Sequence, residues 1–241
     1  MRLLFPRAII LLATLGLAAS TVEAQTAEEI VARNIAAKGG VATLKSTNTV
    51  RTVTSGTMQG AEISATTSSK RPFFFRNEAE MGGQKMIQGF DGETFWMAVG
   101  SMPPRPLPPG PQMEALKQSS QIDSPLLDYK AKGIKVTLGE PATEDGREQH
   151  HLIVTPKTGP TMHYYIDAET NLESKMVIEG DEGGQTATME LRFSDYKTVD
   201  GRTVPFTTTQ YVNGNQVVQM KLEKVEFNIP LEDAIFRMPK Q

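Results

Sequence analysis

The chain contains no cysteine among its 241 residues. It therefore forms no disulfide, carries no thiol nucleophile, and lacks the cysteine to which a bacterial lipoprotein attaches its lipid. Without disulfides, the hydrophobic core is the only expected source of stability for the folded domain.

Histidine and recognisable catalytic motifs are also scarce. The sequence has only three histidines, and it has no nucleophile-elbow, zinc-protease, phosphate-loop or dinucleotide-binding motif. The formal net charge of −3, from 25 basic and 28 acidic residues, is too balanced for nucleic-acid binding. We therefore expect a protein that is not an enzyme, holds no cofactor or metal, and binds no nucleic acid.

No apolar run is long enough to span a membrane, which takes about 20 residues. The run Ala8–Ala19 follows two arginines and precedes the small-residue site Val22-Glu23-Ala24. This order is typical of a secretory signal peptide. We expect a signal peptide over residues 1–24 and one domain over 25–241, which is periplasmic, not lipidated and monomeric.

The rest of the sequence predicts one helix followed by strands. Thr26 and Glu29 form a capping-box pattern, and Gly39-Gly40 ends the helix, with one more short helical turn after it. Beyond this point apolar and polar residues alternate, and turn residues recur about every ten residues, which is typical of an antiparallel sandwich or barrel. The expected strands lie near 47–58, 61–70, 72–81, 84–90, 93–99, 134–140, 148–156, 160–168, 172–179, 186–196, 202–212 and 215–227.

One hairpin is predicted at Asp91-Gly92, interpreted as a two-residue turn. This turn pairs Phe90 with Glu93 and Met86 with Met97. The resulting hairpin is apolar on both faces, so we expect other residues to cover both sides of it.

A second hairpin is predicted around residues 157–159. It pairs Val154 with Met162 and Leu152 with Tyr164, which gives one apolar and one mixed face. Farther along the chain, the apolar residues Met220 and Leu222 occupy even positions, whereas Val225 and Phe227 occupy odd ones. A bulge near residues 223–224 would bring all four to the same face of the sheet.

A proline-rich stretch separates the two series of strands. Six of the nine residues from Pro103 to Pro111 are proline, so this stretch cannot be a central strand or a helix. Two interpretations stay open: the loop from Ser101 to Pro111 is a flap over the open side of the sheet, or it is a disordered insertion without a role. Short helices are predicted after it, over Met113–Gln118 and from Ser124 to Gly133.

Two kinds of polar cluster are candidate sites of chemistry. His151 and His163 lie diagonally on one hairpin face, with Glu148 and Asp167 nearby in sequence. A zinc or copper site is conceivable there, but no closely spaced third ligand is evident. The acidic pairs Glu78/Glu80 and Asp181/Glu182 resemble glycosidase carboxylates only in residue type. We interpret both kinds as solvated residues of polar strand faces and turns.

The apolar strand faces are the remaining candidate site. From the residues alone they form either a filled core or the lining of a ligand cavity. Their candidate ligand-binding members are Phe73, Phe75, Met86, Phe95, Met97, Leu152, Val154, Met162, Tyr164, Ile166, Met176, Met189, Leu191, Phe193, Met220 and Leu222.

Several segments in order resemble the outer-membrane lipoprotein-sorting (LolA-like) family. Lys70-Arg71-Pro72 before a phenylalanine strand resembles its K-R-P-x-x-F segment, and residues 91–96 resemble its D-G-x-T-x-W hairpin. Residues 165–170, 195–205 and 227–239 resemble its D-x-x-T turn, its D-Y-x-x-x-x-G pattern and its usual ending. Together these segments extend over most of residues 25–241.

This resemblance implies a mainly β (α+β) fold, a curved antiparallel half-barrel with helices covering the concave side. It further implies an apolar interior that holds a lipid or the acyl chains of a lipoprotein, with a membrane-associated donor or acceptor protein as a second partner. Arg51, Arg71 and Arg76 are the candidates for the arginine that holds the lid of such a carrier. The alternative function is an exported scaffolding domain with a filled core, which binds a protein through a sheet edge or the proline-rich loop.

Overall fold

The structure is a computed structural model that describes residues 25–108, 110, 113, 117, 120–182 and 185–240. The predicted signal peptide lies outside the described residues, as does most of the helix predicted over Met113–Gln118.

The described residues form two α-helices, fourteen strands and one 3₁₀ helix. The helices are α1 (Ala27–Ala37), α2 (Gly40–Lys45) and the 3₁₀ helix Asp233–Phe236. The strands are β1 (Thr49–Met58), β2 (Ala61–Lys70), β3 (Phe74–Met81), β4 (Gln84–Phe90), β5 (Phe95–Val99), β6 (Arg105–Pro106), β7 (Lys135–Leu138), β8 (Ala142–Glu144), β9 (Arg147–Thr155), β10 (Met162–Asp167), β11 (Glu173–Glu182), β12 (Gln185–Val199), β13 (Arg202–Val212) and β14 (Asn215–Phe227).

Helix α1 begins with the predicted capping box. The Thr26 hydroxyl accepts from the Glu29 backbone N–H at 3.2 Å, and the Glu29 carboxylate accepts from the Thr26 N–H at 2.8 Å. Both interactions satisfy N–H groups that the first helical turn cannot. The apolar stripe of the helix is buried, at Ile30, Val31 and Ile35.

All the strands belong to one antiparallel sheet, which has the predicted half-barrel fold. Hairpins connect neighbours within each series, and the pairing of β1 with β14 joins the first series to the second. The sheet ends at short strands, β6 with two residues and β7 with four. Strand β8 pairs with β9 off the main path, and the order is β6-β5-β4-β3-β2-β1-β14-β13-β12-β11-β10-β9-β7.

The register of the first hairpin differs from the prediction by two residues. Phe90 pairs with Phe95, not with Glu93, and Met86 pairs with Val99. The turn is longer because the Asp91 carboxylate accepts from the backbone N–H groups of residues 93 and 94, at 3.1 and 2.8 Å. This side-chain turn holds four residues between the strands.

The other register predictions are confirmed. In the second hairpin Met162 pairs with Val154 and Tyr164 with Leu152. The predicted bulge is also present, because the partners on β14 skip Glu223 between residues 222 and 224.

The region between the two series differs from the prediction. Arg105–Pro106 is not a free flap, since it pairs with β5 and the Leu107 N–H donates to the Phe95 carbonyl at 2.7 Å. Proline is tolerated there because β6 is an edge strand. The helix predicted from Ser124 to Gly133 is wrong: this segment is a series of turns, in which Asp128 has a φ of +54° that interrupts a helix.

Two clusters of buried side chains lie on opposite faces of the sheet. On the concave face, α1 packs with Leu126 and Leu127 over strands β9 and β10. On the convex face, the C-terminal segment covers Trp96, whose indole N–H donates to the Phe236 carbonyl at 2.8 Å. Both side chains of that pair are fully buried. The hairpin β4–β5 is thus covered on its convex face, as its apolar pattern predicts.

Candidate functional site

The concave face holds a half-open cavity of about 990 Å³. It lies beside the cluster under α1, between strands β10, β11 and β13 and the turn segment at residues 121–127. Its lining is mostly apolar and consists of Lys38, Leu44, Thr47, Val50, Gln121, Ile122, Asp123, Ser124, Pro125, Leu127, Pro156, Thr158, Gly159, Pro160, Met162, Tyr164, Met176, Ile178, Arg202, Thr203, Val204, Pro205 and Phe227.

Strands β10 and β11 supply one continuous apolar wall. Their register places Met162 beside Ile178 and Tyr164 beside Met176. Period-two alternation therefore aims all four side chains at the concave face. Tyr164 is buried, and burial raises the pKa of its phenol well above the ordinary value, so the ring stays neutral.

Charged groups lie at the end of the cavity where α1 meets β13. The Lys38 ammonium donates to the Glu173 carboxylate at 2.6 Å, and Glu173 is nearly buried. The Tyr196 hydroxyl donates to the Glu173 carbonyl at 2.9 Å, and burial raises the pKa of Tyr196, with the Glu173 charge adding to it. Arg202 completes this end of the cavity.

Two glycines bring these basic residues to the same place. Gly39, between α1 and α2, has a φ of +119°, and a Cβ built on it would lie 2.2 Å from the Gly201 carbonyl oxygen. Only glycine permits such a close approach of two backbones at this φ. A hydrogen bond of 3.2 Å from the Thr203 N–H to the Lys38 carbonyl fixes the contact.

An ion pair holds the turn segment that lines the cavity. Arg71 donates to both carboxylate oxygens of Asp123 and also to the carbonyls of Leu44 and Thr47. The hydrogen bond to Asp123 raises the pKa of Arg71. Of the three candidate arginines, Arg71 is the one that binds a segment lining the cavity.

The cross-strand register places fifteen of the sixteen predicted ligand-binding residues on the concave face. The exception is Phe73, which was predicted to lie in a strand with Phe75. It lies instead in the turn before β3, because Lys70 pairs with Phe74 and Pro72 has no N–H to give to the ladder.

The fifteen residues fall into three groups along that face. Met162, Tyr164 and Met176 line the cavity. Leu152, Val154 and Ile166 are fully buried under α1 and belong to filled core. The others lie elsewhere on the concave face, outside the cavity lining: Phe75, Met86, Phe95, Met97, Met189, Leu191, Phe193, Met220 and Leu222.

Sequence reasoning missed the polar half of the site. Lys38, Asp123 and Arg202 come from three distant parts of the chain, and none stands in a motif of charged residues. Only a weak indication of these residues is present in the sequence: Lys38 precedes one glycine turn, and Arg202 follows another.

The two histidines on the convex side of β9 and β10 contact each other. His151 Nε2 and His163 Nδ1 are 2.9 Å apart, and the Tyr165 ring stacks on His151 with centroids 4.7 Å apart. The ammonium of Lys175 lies over that tyrosine ring. Within the part of the chain that the structure describes, no group of three or more acidic or histidine side chains is arranged to hold a metal.

Three solved structures share this architecture. A domain described as outer membrane lipoprotein-sorting, from Vibrio parahaemolyticus, is 11% identical with a TM-score of 0.56, over 87% of this chain and 95% of that one. A LolA superfamily protein from Nitrosomonas europaea is 13% identical with a TM-score of 0.54, over 89% and 98%. This chain therefore has the same fold as these two structures.

A DUF1329 family protein from Desulfovibrio piger has the same fold, at 12% identity and a TM-score of 0.57, over 88% of this chain and 95% of that one. No protein-family model and no curated protein matches the chain. The resemblance seen in the sequence motifs is thus confirmed at the level of the fold. Among the described residues, no helix has the length and apolar character needed to cross a membrane.

Proposed function

We propose that the chain is a periplasmic, non-enzymatic carrier or binder of a lipid or of lipoprotein acyl chains. The observation that carries this proposal is the apolar cavity on the concave face of the half-barrel. Its volume of about 990 Å³ is at the upper end of the range of about 300–1,000 Å³ for small-molecule sites.

Burial of an acyl chain supplies the driving force. Each methylene transferred from water contributes about 0.8 kcal/mol, so a chain of about 16 carbons offers about 10 kcal/mol before ordering costs. Met162 and Met176 suit this role, because unbranched methionine side chains adapt to ligands of variable shape.

The second partner in this proposal is a membrane-associated protein that acts as donor or acceptor of the ligand. The signal peptide predicted over residues 1–24 supports the periplasm as the location in this proposal. The solved structure described as lipoprotein-sorting supports this proposal through its fold.

The scaffolding alternative draws support from the cluster under α1, where the interior is filled. Its proposed contact through a sheet edge is less well supported, because short edge strands protect a sheet from pairing with another chain. Strand β6 has two residues, one of them proline, and β7 has four.

Two adjacent substitutions on β11 test the proposal. Ile178 lines the cavity, whereas Val177 lies on the opposite face beside Glu190. Ile178→Arg places a cation in the apolar wall and should abolish uptake of a fluorescent fatty acid, while Val177→Arg should bind it like the wild type. Circular dichroism checks that both variants fold. Equal binding by both variants, or no binding of any acyl probe by the wild type, contradicts the proposal.

A further inference from the structure

Arg202 is a buried cation without an acidic partner among the described residues. Its side chain lines the cavity, and the residue is only 7% exposed. Its guanidinium donates to the Thr47 hydroxyl at 2.6 Å and to the carbonyls of Asp200 and Thr43, at 2.7 and 3.2 Å. All three acceptors are neutral. The guanidinium also lies over the Phe227 ring, 4.7 Å from its centroid.

The other charges at the cavity have partners of opposite sign. Lys38 is paired with Glu173, and Asp123 with Arg71. The charges within each ion pair cancel. The cavity therefore keeps one excess positive charge, at Arg202. A guanidinium has five N–H groups. Three of them are used by the neutral acceptors, which leaves two for a ligand.

A buried charge is costly unless an opposite charge and hydrogen bonds compensate it. The planar fork of arginine matches carboxylate and phosphate oxygens, and such charge-assisted hydrogen bonds are about twice as strong as neutral ones. An apolar wall lies on the other side of the same cavity, at Met162, Met176 and Ile178.

The geometry points to an amphiphile with an anionic headgroup as the ligand of this cavity. Its carboxylate or phosphate pairs with Arg202 at the end where α1 meets β13, and its acyl chain extends along the wall of β10 and β11. This inference rests on the proposed function, and it narrows the ligand from any lipid to one that carries a negative charge.

Arg202 also has a structural role, because Thr43 lies in α2 and its carbonyl is one of the acceptors. Loss of the side chain therefore weakens the contact between α2 and β13 as well as the proposed ligand contact. A test must compare charged and neutral ligands of the same chain length, since a purely structural role affects both equally.

The experiment titrates delipidated protein with hexadecanoate, hexadecyl phosphate and hexadecanol, below the concentrations at which they aggregate. The wild type should bind at least one anion about ten- to hundredfold more tightly than the alcohol. Arg202→Gln should remove most of this preference while affinity for the alcohol changes little. Arg202→Lys should keep part of it, because the charge remains without the fork.

A matched control removes a charge outside the cavity. Lys45 lies in α2, is half exposed and pairs with Asp128, so Lys45→Gln should leave the anion preference unchanged. The relative affinities of the two anions identify the headgroup as carboxylate or phosphate.

Equal affinity of the wild type for all three probes overturns this inference and leaves the proposed function intact. An anion preference that survives in Arg202→Gln also overturns it. Absence of binding by all three overturns both. If Arg202→Gln fails to fold, Arg202→Lys decides in its place: a reduced anion preference supports the inference, and a preference equal to that of the wild type overturns it.

Discussion

The guanidinium of Arg71 donates to both carboxylate oxygens of Asp123, which is 52 residues away in the sequence. The same side chain donates to the carbonyls of Leu44 and Thr47, at 3.2 and 2.6 Å. One arginine thus joins the turn before β3, the end of α2 and the turn segment at the cavity. Both side chains of the ion pair are mostly shielded from water, so this contact fixes the cavity wall more strongly than a surface ion pair does.

Asp123→Asn should therefore loosen this wall. The substitution leaves Arg71 without its ionic partner, and we expect a loss of about 1–3 kcal/mol in the free energy of unfolding. Dissociation of a bound acyl probe should also become faster, as measured by stopped-flow displacement. The control is Asp233→Asn, which removes the half-exposed partner of Lys70 and should cost less than about 1 kcal/mol. Unchanged dissociation in Asp123→Asn would show that the segment does not restrict ligand exit.

The C-terminal segment should be required for stability. Phe236 is fully buried against the convex face and contacts Phe74, so Phe236→Ala should cost about 3–5 kcal/mol. Trp96 is the only tryptophan in the chain, so the fluorescence emission of the protein reports on its surroundings. The emission should shift to longer wavelength when the C-terminal segment no longer shields Trp96 from water. The exposed neighbour Arg237, changed to alanine, is the control. A wild-type emission spectrum in Phe236→Ala would refute this packing.

Folding should depend on glycine at position 39. An alanine there must adopt a φ of +119°, and its Cβ would meet the Gly201 carbonyl. We expect Gly39→Ala to lower the free energy of unfolding by about 2 kcal/mol or more. Gly180→Ala, in β11, meets no atom within 4 Å and should be neutral or slightly stabilising. Urea unfolding of the two variants measures the contrast, and similar midpoints would contradict it.

Stability should decrease in mildly acidic solution. Burial lowers the pKa of His151 below its ordinary value of 6.5, and the charge of the adjacent His163 adds to this effect. Burial lowers the pKa of His150 in the same direction, with Arg33 adding to it. The two histidines contribute fully to the free energy of unfolding above about pH 6.5. This contribution is lost as the pH falls, because protons then bind to the histidines of the unfolded chain more readily than to those of the folded chain.

Denaturation of the wild type and His151→Gln at about pH 7.5 and about pH 5.5 measures this effect. The variant should lose less stability between the two pH values, since one of the two histidines has been removed. An identical loss in both proteins would assign the pH dependence to other groups.

The strand faces were predictable because their alternation does not depend on register. The hairpin at Asp91 was shifted by two residues, and an even shift leaves every side chain on its predicted face. The reversal of phase between Leu222 and Val225 likewise identified the bulge at Glu223 without knowledge of its partner strand.

The polar half of the cavity was not predictable in this way. Lys38 and Arg202 meet through a contact between two glycine turns that lie 162 residues apart, at Gly39 and Gly201. The residues next to either glycine in the sequence do not indicate that the two turns are in contact. The turn segment after Ser124 was mistaken for a helix because Leu126 and Leu127 are apolar, whereas the left-handed backbone at Asp128 breaks the helical path.

The cavity on the concave face is proposed to hold an acyl chain. Native mass spectrometry of the protein, purified from an exporting host without detergent, tests this proposal most directly. We predict an added mass that corresponds to an amphiphile, which is released on denaturation and is absent from Ile178→Arg but retained by Val177→Arg. A wild-type protein with no added mass, which also takes up no acyl probe after purification, would contradict the account.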